Sequence, residues 1–127
     1  VAGDGGFQMT MSDLATAAEN NIDVKFAILN NGSLGMVRQL QDLFYGQEYF
    51  ATQYTANPDF VRLAGAYGIH GIRVASKDRV SEAIQEAMET PGPVIIDFRI
   101  IEGENVYPTI PAGASVNEMI EEPEGIH

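Results

Sequence analysis

Two short polar segments, placed 24 residues apart, constrain the fold of this chain more than any other feature. The first is Gly-Asp-Gly at residues 3–5, the second is Asn-Asn at residues 30–31, and residues 6–29 lie between them. This length accommodates a loop, a helix and a returning strand, which is the kind of connection that joins two parallel strands. The two segments would then meet at one end of a parallel sheet. A carboxylate and an amide oxygen at that place could hold a hard divalent cation such as Mg²⁺ on a diphosphate.

The rest of the chain alternates predicted helices with short apolar strands. Residues 24–29 predict a strand, residues 36–45 a helix, and residues 46–56 a polar and aromatic loop. Apolar segments at 72–75 and 94–100 are typical of short buried strands. Helices that alternate with such strands predict an α/β fold, with a mostly parallel sheet and helices on both of its faces.

Capping residues indicate where the predicted helices begin. Four side chains are predicted to cap a helix or a short helical turn: Thr10, Asn57, Ser76 and Ser115. Asp13 would replace the usual Glu at the third helical position after Thr10, and Pro58 is favourable directly after a cap. Gly68 is predicted to close the helix that follows Asn57.

Composition excludes several classes of protein. The formal net charge is −11, which argues against nucleic acid as a partner because phosphates require a basic surface. No apolar run approaches the roughly 20 residues that cross a bilayer, so no membrane contact is expected. The chain contains no cysteine, which excludes disulfides and thiolate metal sites. The two histidines, His70 and His127, have no partner at a metal-ligand spacing and are interpreted as structural or exposed.

The two ends of the chain depart from the regular pattern. The chain begins without methionine, and only Val1 and Ala2 could belong to the strand expected before the first glycine. We therefore expect a piece of a longer protein that is truncated at its N-terminal strand. From residue 102 onward, prolines, glycines and acids replace the periodic pattern. This change predicts an α/β domain at 1–101 and an irregular C-terminal tail at 102–127, which would lie over the sheet or reach a partner.

These segments resemble the motif shared by enzymes that depend on thiamine diphosphate (ThDP). More narrowly, the chain is similar to the C-terminal, cofactor-binding domain of the catalytic large subunit of acetolactate synthase (acetohydroxyacid synthase). Five segments carry the similarity: GDGGFQMT at 3–10, LNNGSLGMVRQ at 29–39, NPDFVRL at 57–63, GPVIID at 92–97 and VYPTIPAGASVNEMI at 106–120. The first segment indicates only the cofactor class. Residues 35–37 and the proline-rich end indicate this family, and the resemblance implies a ThDP-binding fold.

The resemblance also implies the residues of the site. The Asp4 carboxylate, the Asn31 side-chain oxygen and the Ser33 backbone carbonyl would ligate Mg²⁺. Gly5 and Gly6 would let the backbone approach the diphosphate and would offer N–H donors. The whole expected cofactor-binding set is Asp4, Gly5, Gly6, Asn31, Ser33, Leu34, Gly35 and Met36. A substrate channel is expected at Met36, Val37 and Leu40.

No catalytic side chain is expected within this chain. In this family the glutamate that helps to activate ThDP belongs to the N-terminal pyrimidine-binding domain of the neighbouring subunit, and nothing here matches that segment. We therefore expect the isolated chain to be inactive. Leu40 stands where the family usually has a tryptophan that helps to bind sulfonylurea and imidazolinone inhibitors, so inhibitor susceptibility is in doubt. Thr109 replaces a common methionine.

A protein of this family would decarboxylate pyruvate and condense the hydroxyethyl-ThDP carbanion with a second 2-oxo acid, either pyruvate or 2-oxobutyrate. This reaction belongs to the biosynthesis of the branched-chain amino acids valine, leucine and isoleucine. The resemblance further implies FAD, bound by regions outside this chain, and a homodimer or homotetramer with a regulatory small subunit. It implies a cytoplasmic location if the source is prokaryotic.

Other interpretations stay open at this point. Asp4 could simply hydrogen-bond the local amides of a turn, and Met36 could be a core residue. Gln8 breaks the G-x-G-x-x-G fingerprint, so a nicotinamide site is a weak interpretation. The chain could also belong to another ThDP-dependent 2-oxo-acid decarboxylase, carboligase or oxidase. A non-catalytic module that binds phosphate or serves as an assembly surface is the alternative from another class.

Overall fold

The computed structural model describes residues 1–123, and residues 124–127, which include His127, lie outside the described part. The four strands within it are Ala2–Gly3 (β1), Lys25–Asn30 (β2), His70–Val74 (β3) and Val94–Arg99 (β4). The five α-helices of the same part are Asp4–Gln8 (α1), Leu14–Glu19 (α2), Gly35–Phe44 (α3), Phe60–Ala66 (α4) and Val80–Glu89 (α5). Single 3₁₀ turns occupy Met11–Asp13, Lys77–Arg79 and Val116–Glu118.

The strands form one parallel sheet in the order β1-β2-β4-β3. Ile28 of β2 lies opposite both Ala2 and Asp97, and Asp97 also lies opposite Arg73 of β3. Every strand pair is parallel, which confirms the predicted α/β class. The observed limits of β2, β3, β4 and α3 lie within two residues of the predicted ones.

Two apolar clusters lie on opposite faces of this sheet. Successive residues of a strand point to opposite faces, so Ile95 packs on one side of β4 while Val94 and Ile96 pack on the other. The cluster around Ile95 comprises Phe7, Leu14, Ile28, Phe60, Ala64, Ile69 and Ile95, which brings α1, α2 and α4 onto that face. The cluster around Val94 comprises Ile72, Val74, Ala83, Ala87, Val94 and Ile96, which brings α5 onto the other face. Helices therefore cover both faces, as predicted.

Three predicted helix starts are wrong. The glycine-rich segment is not a loop before a helix that starts at Thr10, because α1 begins directly at Asp4 and Thr10 precedes only a 3₁₀ turn. Ser76 likewise precedes a 3₁₀ turn and makes no capping hydrogen bond. The cap of α4 is Asp59 rather than Asn57, since its Oδ1 accepts the N–H groups of residues 61 and 62, both at 3.1 Å. The Asn57 side chain has other partners, which are described below.

The predicted roles of Gly68 and Ser115 at helix boundaries are confirmed. Gly68 adopts a φ of +70°, which only glycine reaches without strain, and the N–H of Ile69 donates to Ala64 O at 2.9 Å to close α4. At the other end of the chain, the N–H of Ser115 donates to Glu118 Oε2 at 2.9 Å, as expected for a capped short turn.

The C-terminal tail folds back along α3. Gln39 of α3 exchanges two hydrogen bonds with the backbone of Val106, from its Nε2 at 3.0 Å and to its Oε1 at 2.9 Å. Farther along, Thr109 and Ile120 form an isolated antiparallel bridge that closes the tail into a loop. The contact with α3 had no signal in the sequence, because a glutamine on a helix is usually solvent-exposed.

Two smaller expectations can be compared with the structure. His70 lies at the surface, where its Nε2 is 2.7 Å from Glu86 Oε1, in keeping with the structural or exposed interpretation. Among residues 1–123, no helix is long and apolar enough to cross a membrane.

Candidate functional site

The two polar segments of the sequence meet at the carboxyl end of the sheet. Asp4 follows directly after β1, the Asn-Gly turn at 31–32 follows directly after β2, and the two strands are parallel neighbours. The backbone N–H of Gly32 donates to Asp4 Oδ2 at 2.9 Å. This is the end of a parallel sheet at which α/β proteins bind their ligands.

Asp4 is 1% exposed, and its carboxylate accepts hydrogen bonds from three donors. Its Oδ2 accepts the N–H of Gly32 and, at 2.8 Å, the side-chain amide of Asn57. Its Oδ1 accepts the N–H of Gly5 at 3.0 Å. Asp4 does contact a local amide, as the turn interpretation required, but two of its three donors come from distant segments. These contacts fix the carboxylate in one orientation beside the sheet.

Asn31 and Ser33 complete the polar side of the site. Asn31 Oδ1 accepts the N–H of Ser33 at 3.2 Å. Ser33 is 5% exposed, and its Oγ has no hydrogen-bond partner in the described part of the chain. Buried hydroxyl groups normally have a partner, so this one is available to a polar group that binds here.

These residues surround a depression of about 640 Å³ between β1, β2, α3 and the tail. Its lining comprises Val1, Ala2, Gly3, Asp4, Gly5, Gly6, Leu29, Asn31, Ser33, Leu34, Gly35, Met36, Val37, Ile100 and Val106. All eight residues of the expected cofactor-binding set are therefore brought together, with Val37 beside them. Leu40, one turn farther along α3, is not part of the lining. Met36 is 79% exposed, so the interpretation of Met36 as a core residue is wrong.

Residue 5 has little room for a side chain. A Cβ placed there would lie 2.5 Å from Tyr54 Oη and 2.9 Å from Leu34 Cδ2, distances that require one of the neighbours to move. At Gly6, by contrast, nothing lies within 4 Å of such a Cβ. Burial first, and then the negative charge of Asp4, raise the pKa of the Tyr54 phenol. Tyr54 therefore stays a neutral hydroxyl next to the carboxylate, and no sequence pattern had indicated it.

The site also rests on a partly buried hydrogen-bond network that the sequence did not indicate. Asn57 Nδ2 donates to Asn30 Oδ1 as well as to Asp4, and Asn30 Nδ2 donates to Asp97 Oδ1, each at 2.8 Å. Gln8 Nε2 donates to Asn57 Oδ1 at 3.0 Å. A polar residue at the end of each apolar strand was visible in the sequence, but single polar residues of this kind are common in ordinary turns.

The oxygen donors of the site suit a hard cation. They are one carboxylate, one side-chain amide oxygen and backbone carbonyls, which Mg²⁺ accepts while keeping water or phosphate oxygens in its other positions. Within residues 1–123, no group of three or more His, Cys, Asp and Glu side chains could hold a metal ion. A second depression, of about 350 Å³, lies between α3 and the tail and contains none of the expected site residues.

Comparison with known proteins connects this geometry with a cofactor. Residues 1–98 match the family model described as thiamine pyrophosphate enzyme, C-terminal TPP binding domain, where thiamine pyrophosphate is another name for ThDP. The chain is 43% identical over 121 residues to the acetolactate synthase isozyme 2 large subunit of Escherichia coli (strain K12), covering 95% of this chain and 22% of that protein. It is 42% identical over 121 residues to the acetolactate synthase large subunit of Cyanidium caldarium, covering 94% and 21%.

A solved structure with the same fold is the thiamine diphosphate-dependent 4-hydroxybenzoylformate decarboxylase of Rhodococcus jostii RHA1. It matches with a TM-score of 0.73 and 31% identity, over 81% of this chain and 19% of that one. The chain thus spans about a fifth of the length of the relatives that it matches. The resemblance to acetolactate synthase large subunits is confirmed by these identities. This chain belongs to the family of thiamine pyrophosphate enzyme C-terminal TPP-binding domains.

Proposed function

We propose that this chain is the part of an acetolactate synthase that anchors ThDP through Mg²⁺. The whole protein would decarboxylate pyruvate and join the remaining two-carbon unit to a second 2-oxo acid, pyruvate or 2-oxobutyrate. The observation that carries the proposal is the depression beside Asp4, in a chain 43% identical to an acetolactate synthase large subunit. Its lining combines oxygen donors with the apolar side chains of Leu34, Met36 and Val37.

The residues of the depression have the donor atoms that ThDP and Mg²⁺ require. Asp4, Asn31 and the backbone carbonyl of Ser33 would hold Mg²⁺, and the unpartnered Ser33 Oγ adds a polar atom with capacity for one more hydrogen bond. Gly5 and Gly6 would let the backbone approach the diphosphate. When bound, ThDP supplies the stabilisation of a carbanion, and the protein supplies binding and orientation.

The charge of the site decides how the diphosphate would be held. Asp4 is itself negative, so the diphosphate and this carboxylate repel each other unless a cation lies between them. Binding of ThDP to this chain should therefore depend strictly on a divalent cation. The apolar residues of the lining would exclude water from the other part of the cofactor.

Further features of the proposal rest on the resemblance to the family. The division into a cofactor-binding domain at 1–101 and a tail at 102–127 is one of them. FAD and the activating glutamate would be bound or supplied by regions outside this chain, which would be inactive alone. The whole protein would be a homodimer or homotetramer with a regulatory small subunit, and would be cytoplasmic in a prokaryotic source.

The test is calorimetric titration of ThDP into the full-length enzyme with and without Mg²⁺. The variant Asp4→Ala should lose Mg²⁺-dependent binding of ThDP, because it removes the charged ligand. Asp13→Ala is the matched control, since Asp13 is an exposed carboxylate on the 3₁₀ turn after α1. It should bind ThDP as the unaltered enzyme does. Unchanged Mg²⁺-dependent binding in Asp4→Ala would contradict the proposed site.

A second candidate function is that of a ThDP-dependent decarboxylase without carboligation. The likeness to 4-hydroxybenzoylformate decarboxylase favours it, although the identity is 31% against 43% for the synthase. The two functions differ in their product from pyruvate. Acetolactate formed by the full-length enzyme would support the synthase, whereas release of acetaldehyde alone would support the decarboxylase.

A further inference from the structure

Asn57 makes three side-chain hydrogen bonds beside the candidate cation site, as many as Asp4 itself, although it is neither a predicted ligand nor part of the lining of the depression. An amide has two N–H bonds and one carbonyl oxygen available, and all of them are used here. The two hydrogens reach Asp4 Oδ2 and Asn30 Oδ1, both at 2.8 Å, and the oxygen accepts from Gln8 Nε2 at 3.0 Å. Asn57 therefore connects the segments that follow β1 and β2.

The contact with Asn57 makes the two carboxylate oxygens of Asp4 unequal in their hydrogen bonding. Oδ2 accepts from Asn57 and from the N–H of Gly32. Oδ1 accepts only the N–H of the neighbouring Gly5 within the described residues. Because Oδ2 is held by two donors, the carboxylate is prevented from rotating, and Oδ1 keeps the larger unused capacity for a ligand.

Asn57 is itself held firmly by the sheet. Its partner Asn30 donates from Nδ2 to Asp97 Oδ1 at 2.8 Å, and Asp97 is fully buried in β4. Asp97 Oδ2 accepts from Arg73 Nε at 3.2 Å, and Arg73 Nη2 donates to Asp59 Oδ1 at 2.5 Å. Asp59 caps α4 two residues after Asn57, so the network returns to the segment from which it started. Both ends of the segment 57–59 are thereby fixed to the sheet.

We propose that Asn57 is a positioning residue for the cation site, which holds the Asp4 carboxylate in the orientation needed to ligate Mg²⁺. This inference rests on the proposed function, because it assumes that Asp4 is a ligand. Asn57 would not ligate the cation itself, since its amide hydrogens and oxygen all have partners within the protein. Its effect is on metal affinity, as is usual for groups that hydrogen-bond to a metal ligand.

The test measures the Mg²⁺ concentration that gives half-maximal binding of ThDP to the full-length enzyme, for three variants. Asn57→Ala removes the donor and should raise this concentration by about 10-fold or more, the range seen when an outer partner of a metal ligand is lost. Asn57→Asp keeps the size of the side chain but places a second carboxylate against Asp4. It should therefore bind Mg²⁺ more weakly than the unaltered enzyme, because neither of its oxygens donates to Asp4 as the amide of Asn57 does. Asn20→Ala is the matched control and should leave this concentration unchanged, since Asn20 also donates from its Nδ2, to Thr16 O at 2.9 Å, but is exposed and outside the depression.

The variant Asn57→Asp distinguishes positioning from mere packing. If Asn57 only filled space, Asn57→Asp would resemble the unaltered enzyme and Asn57→Ala would be the weaker binder, which would overturn the inference. Saturating Mg²⁺ should restore ThDP binding and kcat in both Asn57 variants, as expected if only metal affinity is changed. A loss that saturating Mg²⁺ does not restore would indicate a folding defect and would also count against positioning.

Asp4→Ala, measured in parallel, separates this inference from the proposed function. If Asp4→Ala abolishes Mg²⁺-dependent binding while Asn57→Ala leaves the half-maximal concentration unchanged, the ligand assignment stands and the positioning role is rejected. If Asp4→Ala has no effect, the proposed site is rejected and the role of Asn57 falls with it.

Discussion

Helices α3 and α4 are both amphipathic, yet they serve the molecule in opposite ways. The apolar side of α4 is buried, and Phe60 and Ala64 are both fully inaccessible to solvent. In α3 most apolar side chains are exposed, with Met36 at 79% and Phe44 at 44%, while the one buried residue is the polar Gln39. A similar periodic pattern therefore leads to a core helix in one case and to a surface helix in the other.

The difference follows from what each helix has to pack against. Helix α4 lies on the sheet, where Ile28 and Ile95 provide an apolar face. Helix α3 is attached instead by hydrogen bonds between Gln39 and the backbone of Val106 in the tail. Hydrophobic burial is non-directional and strong, whereas a few hydrogen bonds contribute modestly. We therefore expect α4 to determine the stability of the domain and α3 to determine what the depression binds.

The largest effect should come from the variant Phe60→Ala. Phe60 is fully buried and packs edge-to-face on Phe7, with ring centroids 5.6 Å apart. Truncation of a buried phenylalanine lowers the free energy of unfolding by about 3–5 kcal/mol. Hydrogen exchange of the α4 and β3 amides in the full-length protein measures this loss. Phe50→Ala, at a phenylalanine that is 83% exposed, is the control and should leave the exchange unchanged.

Comparable protection in the Phe60→Ala and Phe50→Ala proteins would contradict the assignment of α4 as the core helix. The same experiment also reports on α3. Neither apolar cluster includes a residue of α3. The exchange of the α3 amides should therefore change less than that of the α4 amides.

An intermediate effect is expected from acid, and it concerns the attachment of α3. Asp42 of α3 accepts the Tyr49 hydroxyl at 2.6 Å and the Asn105 amide of the tail, and these contacts, that of Tyr49 first, hold its pKa below the ordinary value. A carboxyl group with a lowered pKa stabilises the folded state above its unfolded pKa. This contribution is lost as the pH falls through the lowered value, so the loss occurs below about pH 4.

The measurement is the hydrogen exchange of the Val106 amide, which donates to Gln39, as a function of pH. After correction for the intrinsic exchange rate, its protection should fall at low pH in the unaltered protein. The variant Asp42→Asn, which cannot ionise, should show the weaker protection at all pH values and a flatter profile. An unchanged pH profile in Asp42→Asn would show that the tail is held by other groups.

The sequence predicted the sheet because each buried strand is a short apolar run with polar residues at its end. It predicted the meeting of Asp4 with the Asn-Gly turn because parallel neighbouring strands end at the same edge. It predicted Asn57 as the cap of α4, where the structure has Asp59, because both residue types are good caps and lie two positions apart. Their roles are decided by tertiary partners: Arg73 and the N–H groups of α4 for Asp59, and Asp4 for Asn57.

The first helix was missed for a related physical reason. Glycine disfavours a helix by about 1 kcal/mol relative to alanine, so residues 5–6 favoured a loop over a helix in the sequence. Tertiary packing overrides this preference, because Phe7 of α1 packs beside Phe60 in the apolar cluster around Ile95. The sequence also gave no sign that Gln39 would be the buried residue of α3, since its partner is the backbone of a tail 67 residues away.

The smallest effect on stability, and the most specific effect on binding, should come from Met36→Ala. Met36 lies on the exposed side of α3 and lines the depression, so its truncation removes little packing within the chain. Protection of the α3 amides should change by less than about 0.5 kcal/mol, as is usual for surface substitutions. ThDP should bind about 5-fold more weakly in the presence of Mg²⁺, because a partly buried apolar contact of ~1 kcal/mol is lost.

Met88→Ala on α5, where Met88 is 69% exposed and outside the depression, is the control and should alter neither the protection of the α3 amides nor the affinity for ThDP. Equal ThDP affinity in the two variants would mean that α3 does not contact the cofactor, and the contrast between a core helix and a binding helix would then rest on exposure alone.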